Sequence, residues 1–140
     1  MKKVKIVAVS GGYDPVHIGH IRQFKQAKKL GDKLYVILNS DRFLIEKKGF
    51  VFMPFKERKE ILESIRYVNK VIPCIDKDQS VCKTLMKLKP DIFAKGGDRR
   101  KKNTPEVDIC RRLGIRIVFG VGGRKIQSST NLVKKIKTPH

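Results

Sequence analysis

Apolar residues in this chain gather in short unbroken runs instead of alternating with polar ones. Four such runs, at residues 6–9, 34–38, 92–94 and 115–119, stand between turn-forming residues, and 71–75 makes a weaker fifth interrupted by Pro73. Continuous hydrophobicity over four or five residues marks strands buried on both faces, the habit of a parallel sheet. Helix-length segments lie between and after them at 17–30, 54–65, 80–88, 105–113 and 129–136, with a further short helix beginning near Asp41. Strand and helix alternate, which predicts a doubly wound α/β fold with a parallel five-stranded sheet. Pro15, Pro54 and Pro105 fall at expected first helical turns, and Gly31 and Gly114 fall where a left-handed residue ends a helix. No internal repeat or low-complexity stretch divides the chain, so residues 1–140 read as a single domain.

Composition narrows the function classes. A chain of 140 residues and 16.1 kDa is too short for two ordinary domains, and no stretch approaches the eighteen apolar residues of a membrane span. Thirty-three Lys and Arg against thirteen Asp and Glu leave a net charge of +20, which favours anionic partners. The excess is spread over both halves of the chain, unlike a basic nucleic-acid tail. Cys74, Cys82 and Cys110 are odd in number and form no C-x-x-C pair, so they are expected to be reduced, mostly buried thiols. The N-terminus runs directly into an apolar strand with no signal-peptide pattern, and a cytoplasmic location is the expectation.

The most informative segment is Gly11-Gly12-Tyr13-Asp14-Pro15-Val16-His17-Ile18-Gly19-His20, where the first strand gives way to the first helix. In a doubly wound sheet, ligands bind at the carboxyl ends of strands. Gly11 and Gly12 let backbone approach a ligand, and a helix N-terminus favours phosphate. His17 and His20 stand one turn apart, able to donate to phosphate oxygens and, if protonated, to offset charge in a transition state. Gly19 between them removes a side chain that would crowd an anion. A metal-binding reading finds no third ligand near the pair, and plain capping histidines are the blander alternative.

This segment resembles the G-x-F-D-x-x-H-x-G-H signature of the cytidylyltransferase-like nucleotidyltransferases, with Tyr13 in place of the usual Phe. The resemblance continues through Leu30-Gly31-Asp32-Lys33-Leu34, Asn39-Ser40-Asp41, residues 57–62 and residues 65–69, covering about residues 4 to 136. It implies a Rossmann-like single nucleotidyltransferase domain in which His17, His20, Lys47 and Ser129 act in catalysis. Gly11, Gly12, Tyr13, Asp14, Gly19, Lys95, Gly97, Asp98, Ser128 and Thr130 would then line the nucleotide, and Lys48, Arg58, Arg66 and Arg99 would meet acceptor or phosphate. Lys47 and Lys48 are not separable by pattern. Gln127-Ser128-Ser129-Thr130 resembles the family's I-S-S-T element, although Gln127 departs from it and the loop before it lacks the common acidic residue; on its own the cluster reads as a helix cap. Asn69 stands where the family has Asp.

Lys95-Gly96-Gly97-Asp98 resembles the K-G-G-D of adenylyltransferases acting on heptose 1-phosphate, whereas residues 65–68 resemble glycerol-3-phosphate cytidylyltransferase, so ATP is favoured over CTP without being settled. The implied reaction is in-line attack of an acceptor phosphate oxygen on the α-phosphorus of a nucleoside triphosphate, with Mg²⁺ on the phosphate oxygens and no metal cage of protein side chains. A phosphorylated small-molecule acceptor, pyrophosphate release and a homodimer belong to the same expectation. No G-x-G-x-x-G or Walker A pattern supports a dehydrogenase or P-loop reading. Rival classes are a nonenzymatic nucleotide sensor and a nucleic-acid-binding domain using the basic run at 99–102. The second is disfavoured because the aromatic residues sit mostly in apolar runs.

Overall fold

The computed structural model describes residues 3–96 and 104–122. In chain order these form β1 (Ile6–Gly11), α1 (Ile18–Lys28), β2 (Lys33–Leu38), α2 (Asp41–Lys48), α3 (Phe55–Glu63), β3 (Lys70–Pro73), α4 (Cys82–Leu88), β4 (Ile92–Gly96), α5 (Val107–Leu113) and β5 (Arg116–Val121). The strands make one all-parallel sheet in the order β3-β2-β1-β4-β5, the doubly wound single-domain architecture expected of the sequence. The chain winds outward from β1 in one direction, then returns to start again at β4. Its topological switch point therefore lies between β1 and β4, with Gly11 and Gly96 closing the two strands on the carboxyl edge.

Successive strand residues feed opposite faces of the sheet. Val7, Val9, Leu34, Val36, Leu38, Ile92 and Ala94 pack against Phe24 and Ala27 of α1 and Leu62 of α3. Ala8, Ile37 and Phe93 pack against Leu85 of α4 and Cys110 of α5. Burial on both faces is why the strands read as solid apolar runs. β3 ends at Pro73, paired with Leu38 on an edge strand, where a residue lacking N–H costs little. No helix among the described residues is long and apolar enough to cross a membrane.

Several helix boundaries differ from the sequence expectation. α1 begins at Ile18 with His17 as its cap, so Pro15 precedes the first turn. Pro54 is the cap residue of α3, and α5 starts at Val107, two residues beyond Pro105. α4 starts at Cys82 instead of 80 because the Asp76 carboxylate reaches forward to accept from the Lys83 and Thr84 N–H groups at 2.7 and 2.9 Å. Gly114 does end α5 with φ +70. Gly31 has another role, since a Cβ there would meet Val7 Cγ2 at 2.8 Å and the Lys5 carbonyl at 2.9 Å. Among the thiols only Cys110 is buried, and Cys74 and Cys82 are half-buried; burial pushes all three up, Cys110 to about 11. The helix expected at 129–136 lies outside the described residues.

Candidate active site

The turn that leaves β1 is held by three groups. Tyr13 takes φ +51, a costly conformation for a bulky side chain, and keeps it with its ring buried. Asp14, also buried, accepts the Phe52 N–H on one carboxylate oxygen and the Met53 N–H on the other, both at 2.6 Å. Lys48 closes the same corner, its Nζ donating to the Asp14 carbonyl at 3.0 Å and lying 3.6 Å from the carboxylate. Asp14, expected to line the nucleotide, is thus occupied as the knot between this turn and the loop after α2.

Arg58 is the second knot. Its side chain is fully buried, and it donates from Nε to Met53 O (2.8 Å), from Nη1 to Gly12 O (2.7 Å) and Asn39 O (2.9 Å), and from Nη2 to Asp41 Oδ1 (2.6 Å). A planar fork of five donors suits this better than lysine could. The expectation that Arg58 meets a substrate phosphate is corrected: its anion is Asp41, and three backbone carbonyls take its other donors.

The histidine pair is built into the helix start. His17 caps α1, its Nδ1 accepting the Gly19 N–H at 3.1 Å, while His20 Nδ1 accepts the His17 N–H at 3.1 Å. This is a capping box with imidazoles in both roles. The rings stack at 3.8 Å between centroids, and Tyr13 meets His20 edge-on at 4.8 Å. With both Nδ1 lone pairs accepting, a neutral ring carries its proton on Nε2, so each imidazole presents one N–H donor away from the backbone. Burial first, and His17 second, lower the His20 pKa to about 3. In the ligand-free protein His20 is therefore a neutral donor.

Glycine roles shift accordingly. A Cβ at Gly19 would meet His17 Cε1 at 2.9 Å and Nδ1 at 3.0 Å, so this glycine makes room for the capping ring before it makes room for any anion. A Cβ on Gly12 would strike Leu44 Cδ2 at 2.6 Å, and one on Gly11 would crowd the Tyr13 ring at 3.0 Å. These two glycines let α2 and Tyr13 close on β1.

Of the two lysines, Lys48 reaches the turn, and exposed Lys47 lies with its Nζ 5.7 Å from the centre of the Phe43 ring. Lys95 sits with its Nζ 5.1 Å from the centre of the Phe93 ring. Arg66 is corrected more strongly. It lies in the segment leading into β3, hence at the amino edge of the sheet opposite the histidines, where it donates to the Tyr67 hydroxyl at 2.8 Å. Gly97, Asp98, Arg99, Ser128, Ser129 and Thr130 lie outside the described residues.

Three participants were missed. Gln23 presses on Gly96, where a Cβ would meet its Nε2 at 2.6 Å, and Gln26 Oε1 accepts the Gly122 N–H at 2.8 Å, so α1 fastens the ends of β4 and β5. Asn39 is buried with its Oδ1 unpaired beside Gly11, whose carbonyl accepts the Asn39 N–H at 3.0 Å. The buried Tyr13 hydroxyl is also unpaired, and burial drives its pKa upward. A polar residue directly after an apolar strand was the available signal for Asn39; nothing in the sequence marked the glutamines. Beyond the end of β2, Ser40 and Phe43 of α2 and the loop carrying Asp76 and Asp78 enclose about 200 Å³. That is less than a drug-sized ligand pocket.

Comparison with known proteins gives the chain's family and fold. The family model described as cytidylyltransferase-like matches residues 8–134. Glycerol-3-phosphate cytidylyltransferase of Bacillus subtilis is 33% identical over 124 residues, covering 89% of this chain and 95% of that one. An FAD synthase of Pyrococcus horikoshii is 40% identical over 100 residues, covering 70% of this chain and 66% of its own length. The bifunctional protein HldE of Campylobacter concisus is 32% identical over 138 residues, 96% of this chain but 28% of HldE. Among solved structures, a lipopolysaccharide core biosynthesis protein from Thermoplasma volcanium superposes with a TM-score of 0.70 at 25% identity, covering 84% of this chain and 96% of that one.

Proposed function

The chain belongs to the cytidylyltransferase-like family of nucleotidyltransferases, and we propose that it transfers a nucleoside monophosphate, AMP before CMP, from a triphosphate to a phosphorylated small acceptor with release of pyrophosphate. The observation that carries this reading is the stacked pair His17 and His20, whose Nδ1 atoms are committed to backbone N–H groups at the start of α1. Their Nε2–H groups, at the positive end of the α1 dipole, form one donor surface beside the switch point, suited to the α- and β-phosphates.

In the proposed reaction an acceptor phosphate oxygen attacks the α-phosphorus in line and the bond to the bridging oxygen of pyrophosphate breaks. The protein supplies alignment and donors, with no covalent intermediate. Lys48, already held at the turn beside Asp14, is the cation proposed for that path, with Lys47 reserved for the outer phosphates. Ser128, Ser129 and Thr130 remain the proposed grip on the leaving pyrophosphate. Among the described residues no cluster of three or more His, Cys, Asp or Glu could hold a metal, and the carboxylates nearest the turn, Asp14 and Asp41, are bound to amides and to Arg58. Mg²⁺ thus fits as the counter-ion carried in on the triphosphate. Preference for ATP rests on Lys95-Gly96-Gly97-Asp98 and on relatives named FAD synthase and HldE; the cytidylyltransferase of Bacillus subtilis supports CTP. A homodimer in the cytoplasm completes the proposal.

The test measures pyrophosphate with each magnesium nucleoside triphosphate against sugar 1-phosphates, glycerol 3-phosphate and flavin mononucleotide. Turnover with one pair is expected. In His17→Asn, which keeps a capping side chain but loses the Nε2 donor, turnover should fall on the order of a hundredfold with thermal stability retained. Nucleotide binding with no pyrophosphate from any pair would make the protein a sensor, and unchanged turnover in His17→Asn would remove the histidine role.

A further inference from the structure

The edge of the sheet opposite the histidines is strongly basic, and the fold sets aromatic rings among its cations. The last turn of α1 and the residues after it bring Lys25, Lys28, Lys29 and Lys33 to this edge, and the loop entering β3 brings Arg66 and Lys70 beside them. All but half-buried Lys28 are exposed. The acids on the same stretch are Glu63 and Asp32, and one Asp32 carboxylate oxygen is bound to the Lys5 N–H at 2.8 Å.

Two tyrosines stand within this field. The Arg66 guanidinium lies 4.9 Å from the centre of the Tyr67 ring and donates to its hydroxyl. The Lys70 ammonium lies 6.0 Å from the centre of the Tyr35 ring. Lys25 and Lys29 come close enough to Tyr67 to act on its hydroxyl, which Arg66's hydrogen bond, and then the charges of Arg66, Lys25 and Lys29, hold below the ordinary phenol range. Lys25 and Lys29 are 42 and 38 positions from Tyr67 in sequence, so the fold adds them to the cation that Arg66 already supplies next to that ring.

Cations at the end of α1 favourably meet the negative end of the helix dipole, which accounts for Lys25 and Lys28. It does not account for Lys33, Arg66 and Lys70, which stand on strand starts and a loop. A second copy of this chain docked here would bring like charges together. An anionic membrane would be expected to meet an apolar wedge, yet the large exposed apolar side chains Ile18, Ile45, Phe52, Ile75 and Met86 lie elsewhere, leaving Val4 and, in the last turn of α3, Ile61 on the side of this edge. A backbone of phosphates carrying bases free to stack matches both features present.

We propose that this amino-edge patch, centred on Lys25, Lys29, Arg66, Lys70 and Tyr67, binds single-stranded nucleic acid, a function separate from nucleotidyl transfer at the opposite edge. The patch uses none of residues 99–102, and Tyr67 and Tyr35 are exceptions to the expectation that the aromatic residues sit mostly in apolar runs.

The test is fluorescence anisotropy of a labelled twenty-nucleotide oligothymidine, titrated with the full chain at several salt concentrations. Binding that weakens steeply with salt is expected. In the triple variant Lys25→Gln/Lys29→Gln/Lys70→Gln, affinity should fall at least about tenfold and the slope of log affinity against log salt should flatten by about 2, since each single-strand phosphate contact contributes roughly 0.7. Tyr67→Leu, which keeps apolar bulk against the core, should lose about tenfold with little change in slope, and Tyr67→Phe should bind as the parent does. Pyrophosphate release should be unchanged in the triple variant. The proposal is overturned by no binding at low salt, by equal binding in all variants, by equally tight binding to duplex of the same sequence, or by preference for phosphatidylserine vesicles over the oligonucleotide.

Discussion

At the scale of single residues, the account turns on where each imidazole nitrogen points. His20 is half-buried with its Nδ1 occupied, and its folded pKa lies near 3 against about 6.5 when unfolded. Between those values the unfolded chain binds a proton that the native protein refuses, so acid favours unfolding. Through this group, stability should be intact above about pH 6.5 and should erode by at most about 1.4 kcal/mol per pH unit as pH falls toward 3. Denaturant titrations at a series of pH values measure the slope, and His20→Gln should flatten it. A slope identical in the variant would mean that His20 is as easily protonated in the native protein as in water.

At the scale of elements, the start of α1 is a device in which helix capping and ligand binding use the same two rings. Gly19 is the part of it most open to test. Its missing Cβ leaves the space that the His17 ring fills, so Gly19→Ala should displace that ring, lowering turnover at least about tenfold while thermal unfolding shows the fold retained. Alternation of strand and helix, the order of elements and the placing of the histidines over β1 were all legible in the chain, because buried parallel strands and glycine-rich turns leave local marks. Arg58 and Asp14 were not legible as knots. Both belong to residue types that bind phosphate or ribose elsewhere, and their partners, mostly backbone groups of Gly12, Asn39, Phe52 and Met53, stand 5 to 46 positions away in sequence. α4's late start had the same cause, since Asp76 caps it from beyond the local window.

For the whole molecule, the paired histidines and Lys48 stand at the carboxyl edge of the sheet and a separate cationic surface stands at the amino edge. Arg58 keeps the first of these in register by joining the β1 turn, the end of β2, the start of α2 and the loop before α3. Arg58→Met would leave Asp41 unneutralised and three carbonyls short of a donor, and should cost about 3–5 kcal/mol, read as a drop in melting temperature on the order of 10 °C. The central claim, that His17 and His20 offer paired Nε2–H groups to nucleotide phosphates, is tested most directly by nitrogen-15 NMR of the histidine rings in the absence and presence of a non-hydrolysable triphosphate. The account predicts Nε2-protonated tautomers for both rings at neutral pH, with both Nε2 resonances moving as nucleotide is added. Saturation with nucleotide while both Nε2 resonances stay fixed, or Nδ1-protonated rings, would contradict it.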